Sequence, residues 1–146
     1  MTSRRSLHDS DFYAWSLEQA ALLRAGRIGE ADLMAIAEEI ESMGKTEKRE
    51  LVSRLTVLLL HLLKWQRQPA GRDYSWRLSI ADARDEIADL LDDNPSLKSV
   101  IGEVTASAYR YARRKAAIET DLREKEFPAQ SPWSFVQATD AGFWPE

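Results

Sequence analysis

Arg84 is the residue whose position in the sequence most clearly calls for a chemical partner. It shares the apolar arc of a predicted helix with Ile80 and Ile87, so its guanidinium points toward the interior. Leaving that cation unpaired would cost several kcal/mol, so a carboxylate or a backbone carbonyl must meet it. Glu39 and Glu41 flank the apolar stripe of a preceding helix, and we predict that one of them is the partner.

An imidazole and two indoles complete a candidate pocket near the turn PAGRD. His61 lies among leucines one turn before Trp65, and Trp76 follows the turn. Carboxylates beside an imidazole and aromatic walls would suit ligand binding or acid and base chemistry. The predicted pocket consists of Glu39, Glu41, His61, Trp65, Trp76 and Arg84.

The same side chains also suit a purely structural role. Buried ion pairs in helical bundles fix which helix packs on which, and a metal site needs several converging ligands. The sequence has no cysteine, no Glu-x-x-His pair, no phosphate-binding glycine loop and no Gly-x-Ser-x-Gly elbow. We therefore predict no metal and no cofactor, and catalysis is the less favoured interpretation.

Two groups of basic residues resemble patches that hold nucleic acid. Basic side chains interleaved with tyrosines are typical of single-strand binding. However, the net charge of -4 at pH 7 opposes a general attraction to phosphates, and late-helix cations also complement the helix dipole. We predict that nucleic acid is not a partner. The groups are Lys45, Lys48 and Arg49, and Arg110, Arg113, Arg114 and Lys115 beside Tyr109 and Tyr111.

The element that positions these residues is a predicted central apolar helix at residues 51–65, which read LVSRLTVLLLHLLKW. Leucines at three-and-four spacing cover most sides of this helix, so it belongs in the middle of a bundle. Its apolar run of about ten residues is well short of the roughly 20 needed to cross a bilayer, so we predict no membrane span. We expect Thr46 to cap this helix and Pro69 to end it.

Amphipathic helices are predicted on either side of the central one in the sequence. A first helix is capped by Asp9 or Ser10 and closed by Gly26, and a second runs from a cap at Asp32 to a stop at Gly44. A fourth, capped by Asp73 or Ser75, follows the PAGRD turn, and a fifth opens at Asn94 and Pro95. Residues 127–146 are rich in proline and aromatic side chains, which indicates a strap that packs across the bundle.

The predicted fold class is all-α, an up-and-down helical bundle of about five helices with a central hydrophobic helix and an aromatic, proline-rich C-terminal strap. A chain of 146 residues has the length of one domain, so we predict a single helical domain over residues 1–146, with residues 1–8 mobile. We find no strand-like alternation and no secretory signal, and we expect a cytoplasmic protein.

Several motifs of the chain resemble those of a bacterial protein family. They are EEIESMG at residues 38–44, LLLHLLKW at residues 58–65, SWRLSI at residues 75–80, NPSL at residues 94–97 and the closing FWPE. Together they resemble the family known as domain of unknown function 29, from Asp11 to the end of the chain. The resemblance implies an all-helical cytoplasmic bacterial protein, and it implies no particular activity, substrate or cofactor.

Two functions stay open at the level of the sequence. The favoured one is a small helical protein-interaction module without catalysis, which binds a partner protein or a second copy of itself through a groove or face. It depends on the surplus of aromatic residues and on the missing catalytic motifs. The alternative is a ligand-binding or hydrolytic bundle that uses the Glu/His/Arg pocket, including a metal-assisted form.

Overall fold

The computed structural model of the chain describes residues 7–146, which form α-helices and short 3-10 turns and contain no strand. The helices are α1 (Leu7–Ser10), α2 (Phe12–Arg24), α3 (Leu33–Arg67), α4 (Tyr74–Asp93), α5 (Ile101–Thr120) and α6 (Phe135–Thr139). The 3-10 turns are Ile28–Glu30, Pro69–Gly71, Pro95–Val100 and Glu124–Glu126. The prediction of an all-α bundle with a central apolar helix is therefore confirmed.

Two compact units divide the chain, Met1–Lys45 and Thr46–Glu146, and α3 contributes residues to both. The structure describes residues 7–45 of the first unit and all of the second. The prediction of a single domain stays a prediction. The predicted mobility of residues 1–8 falls mostly on residues 1–6, which lie outside the described residues; Leu7 and His8 belong to α1.

Helix α2 begins and ends through local hydrogen bonds. The Asp11 side chain accepts a hydrogen bond from the backbone N–H of Ala14 at 3.0 Å, so Asp11 caps the helix in place of the predicted Asp9 or Ser10. Gly26 has a φ of +74° and follows the last turn, where its N–H donates to the carbonyl of Leu23. The predicted closure at Gly26 is confirmed.

Helix α3 is longer than predicted, because Gly44 does not end it. A glycine ends a helix by taking a left-handed conformation, yet Gly26 is the glycine with positive φ among the described residues. Within a long helix a glycine costs only about 1 kcal/mol, and hydrogen bonds on either side keep the helix continuous. The predicted break at Gly44 and the predicted cap at Thr46 are both wrong, whereas the end before Pro69 is confirmed.

The core of the second unit forms around the apolar part of α3. Helix α4 contributes Ile80 and Ile87, and α5 contributes a stripe of alanines whose small side chains allow close approach of the backbone. Residues 127–146, which we call the C-terminal strap, add Phe127 and Trp133 to the same core. The predicted strap is therefore confirmed. The fully buried leucines of α3 are Leu51, Leu55, Leu58, Leu59, Leu62 and Leu63.

No helix within residues 7–146 combines the length and the apolarity needed to cross a bilayer.

Candidate functional site

Arg84 on α4 is buried and binds the backbone of the C-terminal strap. Its Nε atom donates to the carbonyl of Ala138 at 3.0 Å, Nη1 to that of Ala141 at 3.3 Å, and Nη2 to that of Phe143 at 2.7 Å. Burial lowers the pKa of the guanidinium below its usual value. Because one planar fork meets three separate carbonyls, Arg84 holds the final residues of the chain in one conformation.

The prediction that a glutamate pairs with Arg84 is wrong, whereas the predicted inward direction of the Arg84 side chain is confirmed. Glu39 or Glu41 was expected to pair with the guanidinium, but each of its bonding nitrogens donates to a carbonyl oxygen of the strap. Carbonyl dipoles satisfy a buried cation without a second charge that must also be desolvated. Sequence periodicity locates helical faces, and it carries no information on where irregular backbone places its carbonyls.

Trp65 and Arg84 both contact the ring of Trp144. The ring centroids of the two tryptophans are 4.7 Å apart, and the Arg84 guanidinium carbon lies 5.3 Å from the Trp144 ring. Arg72 lies 5.0 Å from the Trp65 ring, and its Nε donates to the Trp65 carbonyl at 2.7 Å. Two of the predicted site residues are thus brought together, in a cluster of cations over aromatic rings.

Trp76 packs against the PAGRD turn. Its ring lies so close to Gly71 that a Cβ atom added there would be 2.6 Å from Trp76 Cη2. Lys64 places its ammonium 4.7 Å from the centre of the same ring. Asp73 caps α4 as predicted, since its side chain accepts from the Trp76 N–H at 3.0 Å. These contacts fix the turn between α3 and α4.

His61 makes a hydrogen bond within its own helix. Its Nδ1 atom lies 2.8 Å from the carbonyl oxygen of Val57, one turn earlier on α3, and its side chain is partly exposed. Such a bond orients the imidazole. His61 therefore belongs to the surface of α3.

Glu39 and Glu41 belong to the first unit, whereas His61, Trp65, Trp76 and Arg84 belong to the second. Glu41 is exposed, and Glu39 is partly buried. The grouping of all six residues into one pocket stays a prediction. Within residues 7–146, no three His, Asp or Glu side chains lie together in a way that could hold a metal ion.

His8 is the partner of Glu39, and sequence reasoning missed it. The His8 Nε2 atom lies 2.5 Å from Glu39 Oε1, and its ring stands edge-on to Trp15 with centroids 4.5 Å apart. The hydrogen bond to Glu39 raises the pKa of His8 above its ordinary value. The signal in the sequence was an imidazole beside Phe12 and Trp15, but His8 was assigned to a segment expected to be mobile.

A shallow apolar groove lies between α2 and the first turns of α3, within the first unit. Its volume is about 180 Å³. The buried Gln19 side chain fixes the two helices, because its Oε1 atom accepts from the N–H of Asp32 at 2.7 Å. We call this the N-terminal groove, and it is lined by Trp15, Ser16, Gln19, Ala20, Leu23, Ile36, Glu39 and Ile40.

The surface around the N-terminal groove is unusually apolar. Among residues 7–45 only Trp15 and Gln19 are buried, whereas Met34 is 77% exposed and Ile40 is 62% exposed. A water-soluble surface seldom gathers so many large apolar side chains in so few residues. The exposed ones are Leu7, Phe12, Tyr13, Leu17, Leu23, Ile28, Leu33, Met34, Ile40 and Met43.

The same unit is acidic. Residues 1–45 carry eight carboxylates and five lysine or arginine side chains, Arg4, Arg5, Arg24, Arg27 and Lys45. Arg27 is already paired with Glu30. Glu39 lines the groove itself. Because Glu39 is also the partner of His8, the negative charge around the groove comes from the excess of carboxylates in the whole unit.

A protein-family model covers nearly the whole chain. The model described as "Domain of unknown function DUF29" matches residues 7–144, and that description assigns no activity. No curated protein and no solved structure matches the sequence. The match agrees with the motifs that carry the resemblance, among them EEIESMG and LLLHLLKW. The chain therefore belongs to the DUF29 family.

Proposed function

We propose that this chain is a protein-interaction module whose N-terminal groove binds an amphipathic helix with basic side chains, supplied by a partner protein. The observation that carries the proposal is the concentration of exposed large apolar side chains in residues 7–45. A pair of helices joined by a short turn buries little surface alone, so such residues gain most from a further helix laid along them.

The groove has the geometry for one helix. Apolar contacts along the N-terminal groove come from Leu23, Ile36 and Ile40, and from the buried Trp15. Helix α2 has 13 residues, which corresponds to a length of about 20 Å, so an occupant of similar length would be covered along its apolar face. Anchors at helical spacing on the partner would insert between the two helices.

The charge of the first unit favours a basic occupant over a second copy of this chain. Two copies would bring together two units that each carry eight carboxylates and five lysine or arginine side chains, so both units have a net negative charge. Like charges across an interface oppose binding, whereas lysines or arginines beside the apolar stripe would complement the excess of carboxylates on this unit. The contacts of Arg84 with the strap further support a role without catalysis for that residue.

We also propose that the chain is located in the bacterial cytoplasm. The lack of cysteine is compatible with that reducing compartment. Fractionation of cells that express the tagged chain tests this part. Recovery with the membrane or periplasmic fraction would contradict it.

The test of the occupant uses two synthetic 18-residue helices with the same leucine stripe, one with lysine and one with glutamate on the polar face. Isothermal titration at low ionic strength should show that the lysine peptide binds at least about tenfold more tightly. The difference should shrink as salt is added. Equal affinities for the two peptides would contradict the proposal. A chain that forms a stable dimer in sedimentation equilibrium and does not bind the lysine peptide would also contradict it.

A further inference from the structure

The second unit contains a cavity between α5 and the chain that follows it. Its volume is about 600 Å³, within the range of small-ligand sites. Helix α5 contributes Thr105, Tyr109, Arg110 and Arg113 to its wall. Trp133, which is buried in the strap, contributes an aromatic side. The description of the family assigns no activity to these residues, and none of them lines the N-terminal groove.

Two polar atoms of the cavity wall have no hydrogen-bond partner within residues 7–146. They are the hydroxyl oxygen of Thr105 and the Nε atom of Arg113, and both are buried. A buried polar atom without a partner costs about 1–3 kcal/mol, and such atoms are rare in folded proteins. Both unsatisfied atoms therefore belong to residues of α5 that line one cavity.

The cavity also carries an excess of positive charge. Arg110 and Arg113 face one carboxylate, that of Glu124. The contact between Arg113 Nη1 and Glu124 Oε1 is long, at 3.9 Å, and Arg113 Nη2 donates to the carbonyl of Phe127 at 3.2 Å. Arg110 Nη2 lies 3.5 Å from the hydroxyl oxygen of Tyr111, at the limit of a hydrogen bond. Both guanidinium groups thus keep capacity for an anionic acceptor.

Aromatic rings define the rest of the space. Tyr109 is held in place by its hydroxyl group, which donates to the carbonyl of Pro128 at 2.5 Å, and its ring is buried. Trp133 is fixed through its backbone N–H, which donates to the Ser131 hydroxyl at 3.3 Å. Rings in fixed positions favour a flat apolar body in the ligand.

We infer that this cavity is a binding site for a small organic oxyanion, a carboxylate or phosphate attached to a flat apolar group. The oxyanion accepts hydrogen bonds from the guanidinium groups of Arg110 and Arg113 and from the Thr105 hydroxyl, and the apolar group lies against Tyr109 and Trp133. The inference concerns the second unit alone, so it stands or falls separately from the helix-binding proposal.

The experiment titrates the purified full chain with four probes, benzoate, phenyl phosphate, benzyl alcohol and benzylamine. Binding is followed through the indole N–H resonances in nitrogen-15 spectra, with the Trp133 signal assigned from Trp133→Phe. We expect saturable shifts of the Trp133 signal with benzoate or phenyl phosphate, at least about tenfold tighter than with the neutral and cationic probes. The stronger of the two anions identifies the preferred head group. Equal affinity for all four probes, or no shift with either anion, overturns the inference.

Matched variants locate the site. Arg110→Ala should weaken binding of the preferred anion about tenfold, whereas Arg114→Ala, an exposed arginine on the same helix outside the cavity lining, should leave it unchanged. Thr105→Val removes the unpartnered hydroxyl, so the melting temperature of this variant should stay the same or rise. Its affinity for the preferred anion should fall severalfold. A residue with a structural role alone would not separate these two readouts. Equal affinities of Arg110→Ala and Arg114→Ala, or unchanged affinity in Thr105→Val, contradict the assignment.

Discussion

The Nη2 atom of Arg84 lies 2.7 Å from the carbonyl oxygen of Phe143, which joins the middle of α4 to the end of the chain. The other two bonds of the guanidinium go to Ala138 and Ala141 of the same strap. The Trp144 ring contacts both this cation and the Trp65 ring of α3. The strap thus closes the second unit through one arginine and one pair of rings.

Arg84→Ala should lower the free energy of unfolding by about 2–4 kcal/mol, because three strap carbonyls lose a charged donor and a buried side chain is removed. Arg84→Lys should lie between this variant and the wild type, since an ammonium cannot reproduce the planar fork. Denaturant unfolding followed by tryptophan fluorescence measures both. Arg77→Ala is the control on the same helix, where loss of an exposed contact 5.7 Å from the Trp65 ring should cost less than about 1 kcal/mol. Equal effects of the alanine variants would contradict the clamp.

The continuity of α3 through Gly44 predicts that an added side chain is favourable there. A Cβ atom at this glycine meets nothing within 4 Å, and its φ is not in the left-handed region. Gly44→Ala should therefore raise the free energy of unfolding by about 0.5–1 kcal/mol, chiefly by restricting the unfolded chain. Thermal unfolding by circular dichroism measures the change. A destabilised Gly44→Ala variant would indicate that the helix is broken at this position.

Gly71→Ala should lower the free energy of unfolding, in contrast to Gly44→Ala. The new Cβ would lie 2.6 Å from Trp76 Cη2 and 3.2 Å from Cζ2, so the rigid indole has to move. Forced displacement of a packed ring costs about 1–3 kcal/mol. Gly29→Ala serves as the control, because its Cβ meets nothing within 4 Å, and its effect should stay within about 0.5 kcal/mol. Similar melting temperatures for the two variants would show that Trp76 does not pack against the turn as described.

The contact between His8 and Glu39 predicts a pH-dependent attachment of α1. Because the folded-state pKa of His8 is raised, its contribution to stability is fully present below its ordinary pKa of about 6.5 and is lost as the pH rises through the raised value. Proton NMR titration of the His8 ring should give a pKa above that ordinary value. Glu39→Gln should lower the pKa of His8, while Glu38→Gln, at the neighbouring exposed position, should change it much less. A His8 pKa that is the same in all three proteins would rule out the pair.

Much of the fold was predictable because helices and their caps are local. The leucine spacing of residues 51–65 located the central helix, and Asp73 and Pro69 marked real boundaries. Gly44 misled the prediction, since a glycine signals a helix end only when the backbone turns left-handed there. Local rules do not include the cooperativity that extends a long helix past one poor residue.

The candidate site was predictable only in part, because its partners come from irregular backbone. Periodicity placed Arg84 inside, but it gave no position for the carbonyls of Ala138, Ala141 and Phe143. The cavity beside α5 was likewise invisible in the sequence, where Arg110 and Arg113 were read only as a basic patch. Side chains that meet across a strap are juxtaposed by the fold and not by their spacing.

The most direct test of the proposed helix-binding function compares Ile40→Gln with Ile118→Gln. Both isoleucines are exposed on long helices, Ile40 by 62% in the N-terminal groove and Ile118 by 75% on α5, so both variants should fold. Titration with the lysine-faced leucine peptide should show about tenfold weaker binding for Ile40→Gln, because an apolar contact worth about 1.5 kcal/mol is lost, and unchanged binding for Ile118→Gln. Equal affinities of the two variants for the peptide would contradict the claim that the N-terminal groove is the docking site.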